Sequence, residues 1–299
     1  SISYKYTVMK KLRNHSLRIL ICTFCMLACI PQTNAQPYNG IEVNSQVFTD
    51  NIWFFGTNWS TWTACPSLAF VKNSLDQWVP QALPANERGK VNSWENSLSV
   101  STPSCDGSFI FYTMHNQVYN SKHQPMDGGS FSGNTSVADG LAACYIGENK
   151  YLLFSCNTCY FTSIQLLYYE IDMSANGGLG KMTSTGSIET EGMSESIELI
   201  PVANTTDEYW LVYHHYSTSQ MRVRKVTPAG VSSSYTFINK PGLTTTGNQN
   251  YSFLLKSNPT YNRLVLTMAP TQALYLFHFD PVAGTIAFDK SFSTASYIT

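Results

Sequence analysis

Charge is scarce in this chain, helical periodicity is scarcer, and there is no basic surplus. Only 12% of the residues are charged, and 19 Asp and Glu outnumber 18 Lys and Arg. Five of the basic residues, Lys5, Lys10, Lys11, Arg13 and Arg18, precede Ala35. From Gln36 onward the balance is therefore 13 minus 19, a net charge of −6. Such a surface repels phosphate backbones and anionic lipids, which argues against nucleic acid as a partner. No long stretch keeps apolar residues at i, i+3, i+4 and i+7 without an interrupting Gly, Pro or Asn, so a helical fold is disfavoured. A Gly-x-Ser-x-Gly elbow is also missing, which removes the commonest serine-nucleophile signature.

The apolar run Ile19 to Ile30 is too short to cross a bilayer. Twelve helical residues rise about 18 Å, against roughly 30 Å of hydrocarbon. With the basic head that begins at Met9 and the small residues Thr33 and Ala35 behind it, the run reads as a secretory signal peptide. The expectation is that residues 1–35 are upstream sequence plus leader, that translation starts at Met9, and that cleavage near Ala35 releases the product to the exterior or the cell surface.

Aromatic side chains are plentiful at 13% of the chain, a composition that suits strands with neutral polar surfaces. Four short β runs stand out: FIFYTM from Phe109, YLLFSC from Tyr151, YWLVYHH from Tyr209 and RLVLTM from Arg263, starting 42, 58 and 54 residues apart. Each follows an apolar strand and a turn rich in Asn, Asp, Gly or Pro, and each precedes a third strand: QVYN, IQLLYYEID, QMRVRKV or ALYLFHFD. A fourth strand, such as SSSYTFI from Ser232, completes the unit. Four-stranded antiparallel units repeating in one phase at this period predict a β-propeller; the competing reading is a β-sandwich. Residues 36–299 are expected to form one domain with about five blades, part of a longer protein.

The stretches NIWFFGTN from Asn51, SCDGSFIFYTMHNQVYNSKHQPMDGG from Ser104, YYEIDMSANGGLG from Tyr168, DEYWLVYHHYSTSQMRVRKVTPAGV from Asp207 and FHFDPVAGTI from Phe277 carry a family likeness. Together they resemble the N-terminal propeller of large Bacteroidota surface proteins. Those proteins are exported by type IX secretion, are related to gliding-motility-associated proteins, and often carry polycystic-kidney-disease-like domains. The resemblance implies a secreted or surface module and brings no catalytic residues with it. A noncatalytic adhesion module with a protein or glycan partner is therefore the leading expectation, and a polysaccharide hydrolase or lyase the alternative.

Candidate chemistry is sparse. In DMSANGG, Asp172, Ser174 and Asn176 occupy the first, third and fifth positions of an oxygen-ligand loop, which suggests weak calcium binding. The twelfth position is Thr183 where such loops place Glu. The acids Glu189, Glu191, Glu195 and Glu198 of ETEGMSESIE offer the one carboxylate cluster, although a solvated linker between blades would look the same. His214 and His215 point to opposite faces if both lie in a strand, and Trp59, Trp62, Trp78 and Trp94 could stack on sugar. Cys156 and Cys159 have no second paired spacing to complete a zinc site, and in an oxidising compartment they are expected to form a disulfide across a hairpin tip. Cys65, Cys105 and Cys144 are the other candidate partners.

Overall fold

Alternating apolar and polar residues, broken by turn residues, produce strands almost everywhere in the computed structural model. The described residues are 52–53, 68–72, 78–82, 97–101, 109–114, 116–134, 137, 139–158, 164–239, 253–268 and 273–293. They all belong to the unit Glu42–Thr299; the leader expected over residues 1–35 falls in the other unit, Ser1–Ile41, and lies outside them. Among the described residues no helix is long and apolar enough to cross a membrane.

A three-stranded sheet comes first, built from β1 (Ile52–Trp53), β2 (Leu68–Lys72) and β3 (Trp78–Ala82). Four blades follow. Blade I is β4 (Ser99–Ser101), β5 (Phe109–Met114), β6 (Gln117–Asn120) and β7 (Pro125–Ser130). Blade II is β8 (Leu141–Tyr145), β9 (Lys150–Cys156), β10 (Leu166–Asp172) and β11 (Lys181–Glu189). Blade III is β12 (Met193–Pro201), β13 (Tyr209–His215), β14 (Gln220–Thr227) and β15 (Gly230–Asn239). Blade IV is β16 (Phe253–Ser257), β17 (Arg263–Met268), β18 (Ala273–Asp280) and β19 (Thr285–Ser293). Within each blade the strands pair antiparallel in chain order.

The turns obey the local chemistry of their residues. In the β18–β19 hairpin the Asp280 carboxylate accepts the N–H groups of Val282 and Ala283, and Gly284 takes the left-handed conformation at φ 65°. In the β16–β17 hairpin Asn258 accepts the N–H groups of Asn262 and Arg263 through its side-chain oxygen. Short polar side chains thus satisfy the backbone where the ladder stops.

Three apolar cores lie between successive blades. Phe111, Val118 and Phe131 of blade I meet Leu153, Tyr169 and Ile171 of blade II. Leu152, Phe154 and Leu166 of blade II meet Leu211, Tyr213 and Val226 of blade III. Ile200, Val212, Met221 and Val223 of blade III then meet Leu264, Leu266 and Phe277 of blade IV. Blade III is therefore covered on both faces, by odd-numbered residues of β13 on one side and even-numbered ones on the other. A sandwich sheet buries only one face, so this stacking is that of a propeller.

The first strands β8, β12 and β16 adjoin one another along the inner edge, where five successive residues of β12 are buried. The fourth strands form the exposed rim. There β7 touches β11 and β15 touches β19. The β7–β11 contact includes one parallel pairing, Asp127 with Lys181, so blades I and II are continuous as an eight-stranded sheet.

Candidate functional site

Two polar constellations interrupt these cores. The first stands between blades II and III, where the core reaches the rim. Strand alternation puts Arg222 and Arg224 of β14 on one face, opposite Tyr213 and Leu211 of β13 and opposite Phe237 and Tyr235 of β15. Glu189, the last residue of β11, reaches across from blade II. Its Oε1 accepts the Tyr213 hydroxyl at 2.7 Å, Arg222 Nη1 at 2.9 Å and Arg224 Nη2 at 3.1 Å.

The two guanidiniums are held from several sides. Arg224 Nε donates to the Tyr213 hydroxyl at 2.7 Å, and its Nη1 to the carbonyls of Ser232 and Ser233 at 3.1 and 2.6 Å. Arg222 Nε donates to Gln220 Oε1 at 2.9 Å. The Tyr235 ring lies over both, 4.7 Å from the Arg222 Cζ and 4.8 Å from that of Arg224. Burial alone would raise the Glu189 pKa, but the bonds from Tyr213, Arg222 and Arg224 outweigh it and hold the carboxyl below the usual range. Burial, helped by the Arg222 charge, pushes the His215 pKa down; its Nδ1 is 2.9 Å from the Thr218 hydroxyl.

The second constellation lies at the inner edge. Between Met193 and Ile197, β12 advances four residues while its partner β13 advances two, from His215 to Tyr213, so two residues are extra. This bulge buries Ser194, Glu195 and Ser196. Asp139 bridges to it, pairing in parallel with Ser196 and accepting the Ile197 N–H on its carbonyl. The Asp139 carboxylate accepts the Leu255 N–H at 3.2 Å and Lys256 Nζ at 2.8 Å. Lys256 also approaches Glu198 at 3.5 Å, and Glu198 accepts the Ser257 N–H at 3.0 Å.

Enclosure raises the Asp139 pKa to about 7 in spite of Lys256 beside it, because its side chain is only 13% exposed. The two carboxylates hold Lys256 above its ordinary value against the effect of burial. The Lys256 side chain is half exposed, so the stronger effect is that on the enclosed Asp139.

The sequence-derived candidates distribute as follows. The acids of ETEGMSESIE are not a solvated linker: Glu189 ends β11 on two arginines, Glu195 is buried in the bulge and Glu198 is tied to blade IV, with Glu191 alone exposed. They do not converge on one another, since strand β12 carries Glu195 and Glu198 away from the rim. Asp172, Ser174 and Asn176 share one hairpin tip, but Asp172 Oδ1 already accepts the Ser174 N–H at 2.8 Å and its hydroxyl at 2.6 Å. Those bonds hold the Asp172 pKa down, against the small upward pull of burial.

Cys156, expected in a disulfide, stands as a free and buried thiol at the end of β9, 3.7 Å from the Ser194 carbonyl. Its expected partner Cys159 lies outside the described residues, as do Cys65, Cys105, Trp59, Trp62 and Trp94; Trp78 lies in β3. Among the described residues no group of three His, Cys, Asp or Glu is gathered to hold a metal ion. His214 is buried within β13. The Arg222–Arg224–Tyr235 face was not singled out from the sequence. The signal was the alternation in QMRVRKV, which places both arginines on one side of a strand.

No protein-family model matches the chain, and no curated protein matches it. Among solved structures, a functionally unknown protein from Desulfotomaculum acetoxidans is similar at 13% identity with a TM-score of 0.42, over 78% of this chain and 64% of that one. The periplasmic gluconolactonase of Pseudomonas aeruginosa is similar at 14% identity with a TM-score of 0.36, over 78% and 64%. A putative 6-phosphogluconolactonase from Bacteroides fragilis is similar at 10% identity with a TM-score of 0.30, over 82% and 96%. The chain thus spans under two thirds of the first two. Likenesses this faint assign no reaction, and the propeller stands on its strand order and its doubly covered blade III.

Proposed function

We propose that the protein is a noncatalytic binding module, displayed outside the cell or on its outer surface after leader cleavage near Ala35. Its partner is a protein or glycan, and the surface location follows the resemblance of its sequence to type IX-secreted, gliding-motility-associated surface proteins. The supporting observation is the state of its acids. A glycosidase needs two carboxyl groups free to face a substrate across roughly 5 to 10 Å. Here Glu189 is committed to Tyr213, Arg222 and Arg224, and Glu198 to Ser257 and Lys256. Asp139, whose raised pKa would suit a general acid, has Lys256 on one oxygen and the Leu255 N–H on the other.

The test pairs a glycan array with a polysaccharide depolymerisation screen on the same purified protein. Capture without release of reducing ends is the expected result. Reducing ends released from any polysaccharide would overturn the noncatalytic reading.

A further inference from the structure

The rim of blade III joins exposed aromatic rings to buried positive charge. Along β14 and β15 the register makes Gln220 and Asn239, Arg222 and Phe237, and Arg224 and Tyr235 into cross-strand pairs on one face. The other face of β15 turns to blade IV, where Ile238 packs in the core and the Thr236 hydroxyl donates to the Gly284 carbonyl. Although Tyr235 and Phe237 point toward blade II, they are 38% and 46% exposed. Their ring centroids are 6.0 Å apart with the planes inclined by 54°, so they offer two adjoining, mutually tilted apolar surfaces.

This face has an electrostatic bias. Two guanidiniums lie against the Tyr235 ring and share the single carboxylate of Glu189. Glu191, in the turn after β11, is exposed to solvent. Of the five N–H donors on a guanidinium, Arg222 uses three, to Gln220, Glu189 and Thr218. Arg224 uses four, to Tyr213, Ser232, Ser233 and Glu189. Two donors of Arg222 and one of Arg224 thus remain for a further anionic acceptor, which would have to reach side chains that are 8% and 9% exposed. The negative charge of the chain as a whole is screened beyond about 8 Å at physiological salt, so the local pair dominates at this face.

We infer that the Tyr235–Phe237 face of β15, backed by Arg222 and Arg224, is a subsite for an anionic sugar residue of a polysaccharide. A pyranose presents an apolar C–H face that stacks on an aromatic ring, and its carboxylate or sulfate meets the guanidinium pair. The Gln220 and Asn239 amides, joined by a 3.1 Å hydrogen bond, stand at the end of the same face, where hydroxyl groups would lie. The inference rests on the binding-module reading and names the ligand class and the place.

The test is calorimetric titration of the full chain with polygalacturonate, dextran sulfate and neutral dextran, at two salt concentrations. Polygalacturonate and dextran sulfate separate a carboxylate from a sulfate requirement. The expected result is binding to one of the anionic polymers, weakened by salt, without comparable binding to dextran. Phe237→Ala and Tyr235→Ala should each lower that affinity on the order of tenfold, while Tyr235→Phe retains it. Because Phe237 is half exposed, its variant should keep the parent melting profile. Binding unchanged in both alanine variants, equal binding to dextran, or no binding to either anionic polymer would each overturn the subsite. Glycans captured on an array with unaltered strength by both variants would sink the subsite and leave the binding-module reading standing. Release of reducing ends would do the reverse.

Discussion

Trp210 of β13 donates its indole N–H to the Pro281 carbonyl in the β18–β19 hairpin at 2.9 Å, clamping blade III to blade IV. The same carbonyl accepts the Ala203 N–H at 3.2 Å. Gly284 closes the clamp, because a Cβ there would meet the Trp210 ring at 2.5 Å and the backbone φ of 65° disfavours any side chain. Trp210→Phe should cost about 1 kcal/mol through the lost hydrogen bond. Gly284→Ala should cost about 1 to 3 kcal/mol through strain and displacement of the indole. Urea midpoints of the two variants check the order of these effects.

Glu189 holds two buried arginines together. Glu189→Gln removes the charge that compensates them and should destabilise the protein by about 3 kcal/mol or more. The folded pKa of this group lies below its unfolded value, so its contribution is present above the ordinary glutamate range and is lost as pH falls through the folded value. The difference in stability between parent and variant should therefore shrink below about pH 4. A gap that stayed constant from pH 7 to pH 3 would contradict the assignment.

Asp139 has the opposite sign. Its folded pKa of about 7 exceeds the ordinary 3.8, so the folded state binds the proton more tightly than the unfolded chain does. The stability it contributes is complete at low pH and is lost as pH rises toward 7. The charged groups facing it are Lys256 and Glu198, and both belong in the comparison. Asp139→Asn should flatten the decline between pH 4 and pH 7, as read from chemical denaturation at each pH.

Burial pushes the Cys144 and Cys156 thiols far above their usual range, so neither forms the reactive thiolate near neutrality. Iodoacetamide should leave both unmodified in the native protein. In denaturant without reductant both should be alkylated. Labelling of Cys156 only after reduction would restore the disulfide to Cys159.

The Asp172 tip closes on its own hydrogen bonds from Ser174. Melting temperatures in chelator and in millimolar calcium should therefore coincide. A rise with calcium that disappears in Asp172→Asn would show that the tip opens to take the cation.

The strands were legible because their burial alternates or is continuous. Phe109–Met114, Tyr209–His215, Arg263–Met268, Gln117–Asn120 and Ala273–Asp280 have the limits that their apolar runs and turn residues suggest. The polar sites were not legible in the same way. An acid such as Glu189 reads as solvated because its partners lie 33 and 35 residues ahead, at Arg222 and Arg224. Only the stacking of one blade on the next brings them together. The Cys-x-x-C spacing places a turn directly after YLLFSC, and Cys156 is indeed the last residue of β9, with its side chain in the core; Cys159 lies outside the described residues.

The bulge in β12 makes one strand belong to two blades. Met193 donates its N–H to the Ile164 carbonyl and Ile197 donates to that of Asp139, both in blade II, while residues from Ile197 onward pair with β13 of blade III. Separating the blades therefore requires breaking main-chain hydrogen bonds as well as parting side chains. The inner edge between blades II and III behaves as a stitched seam: a load that peels one from the other must unpick it bond by bond, whereas at the rim these two blades meet through the side chains of Glu189, Tyr213, Arg222 and Arg224.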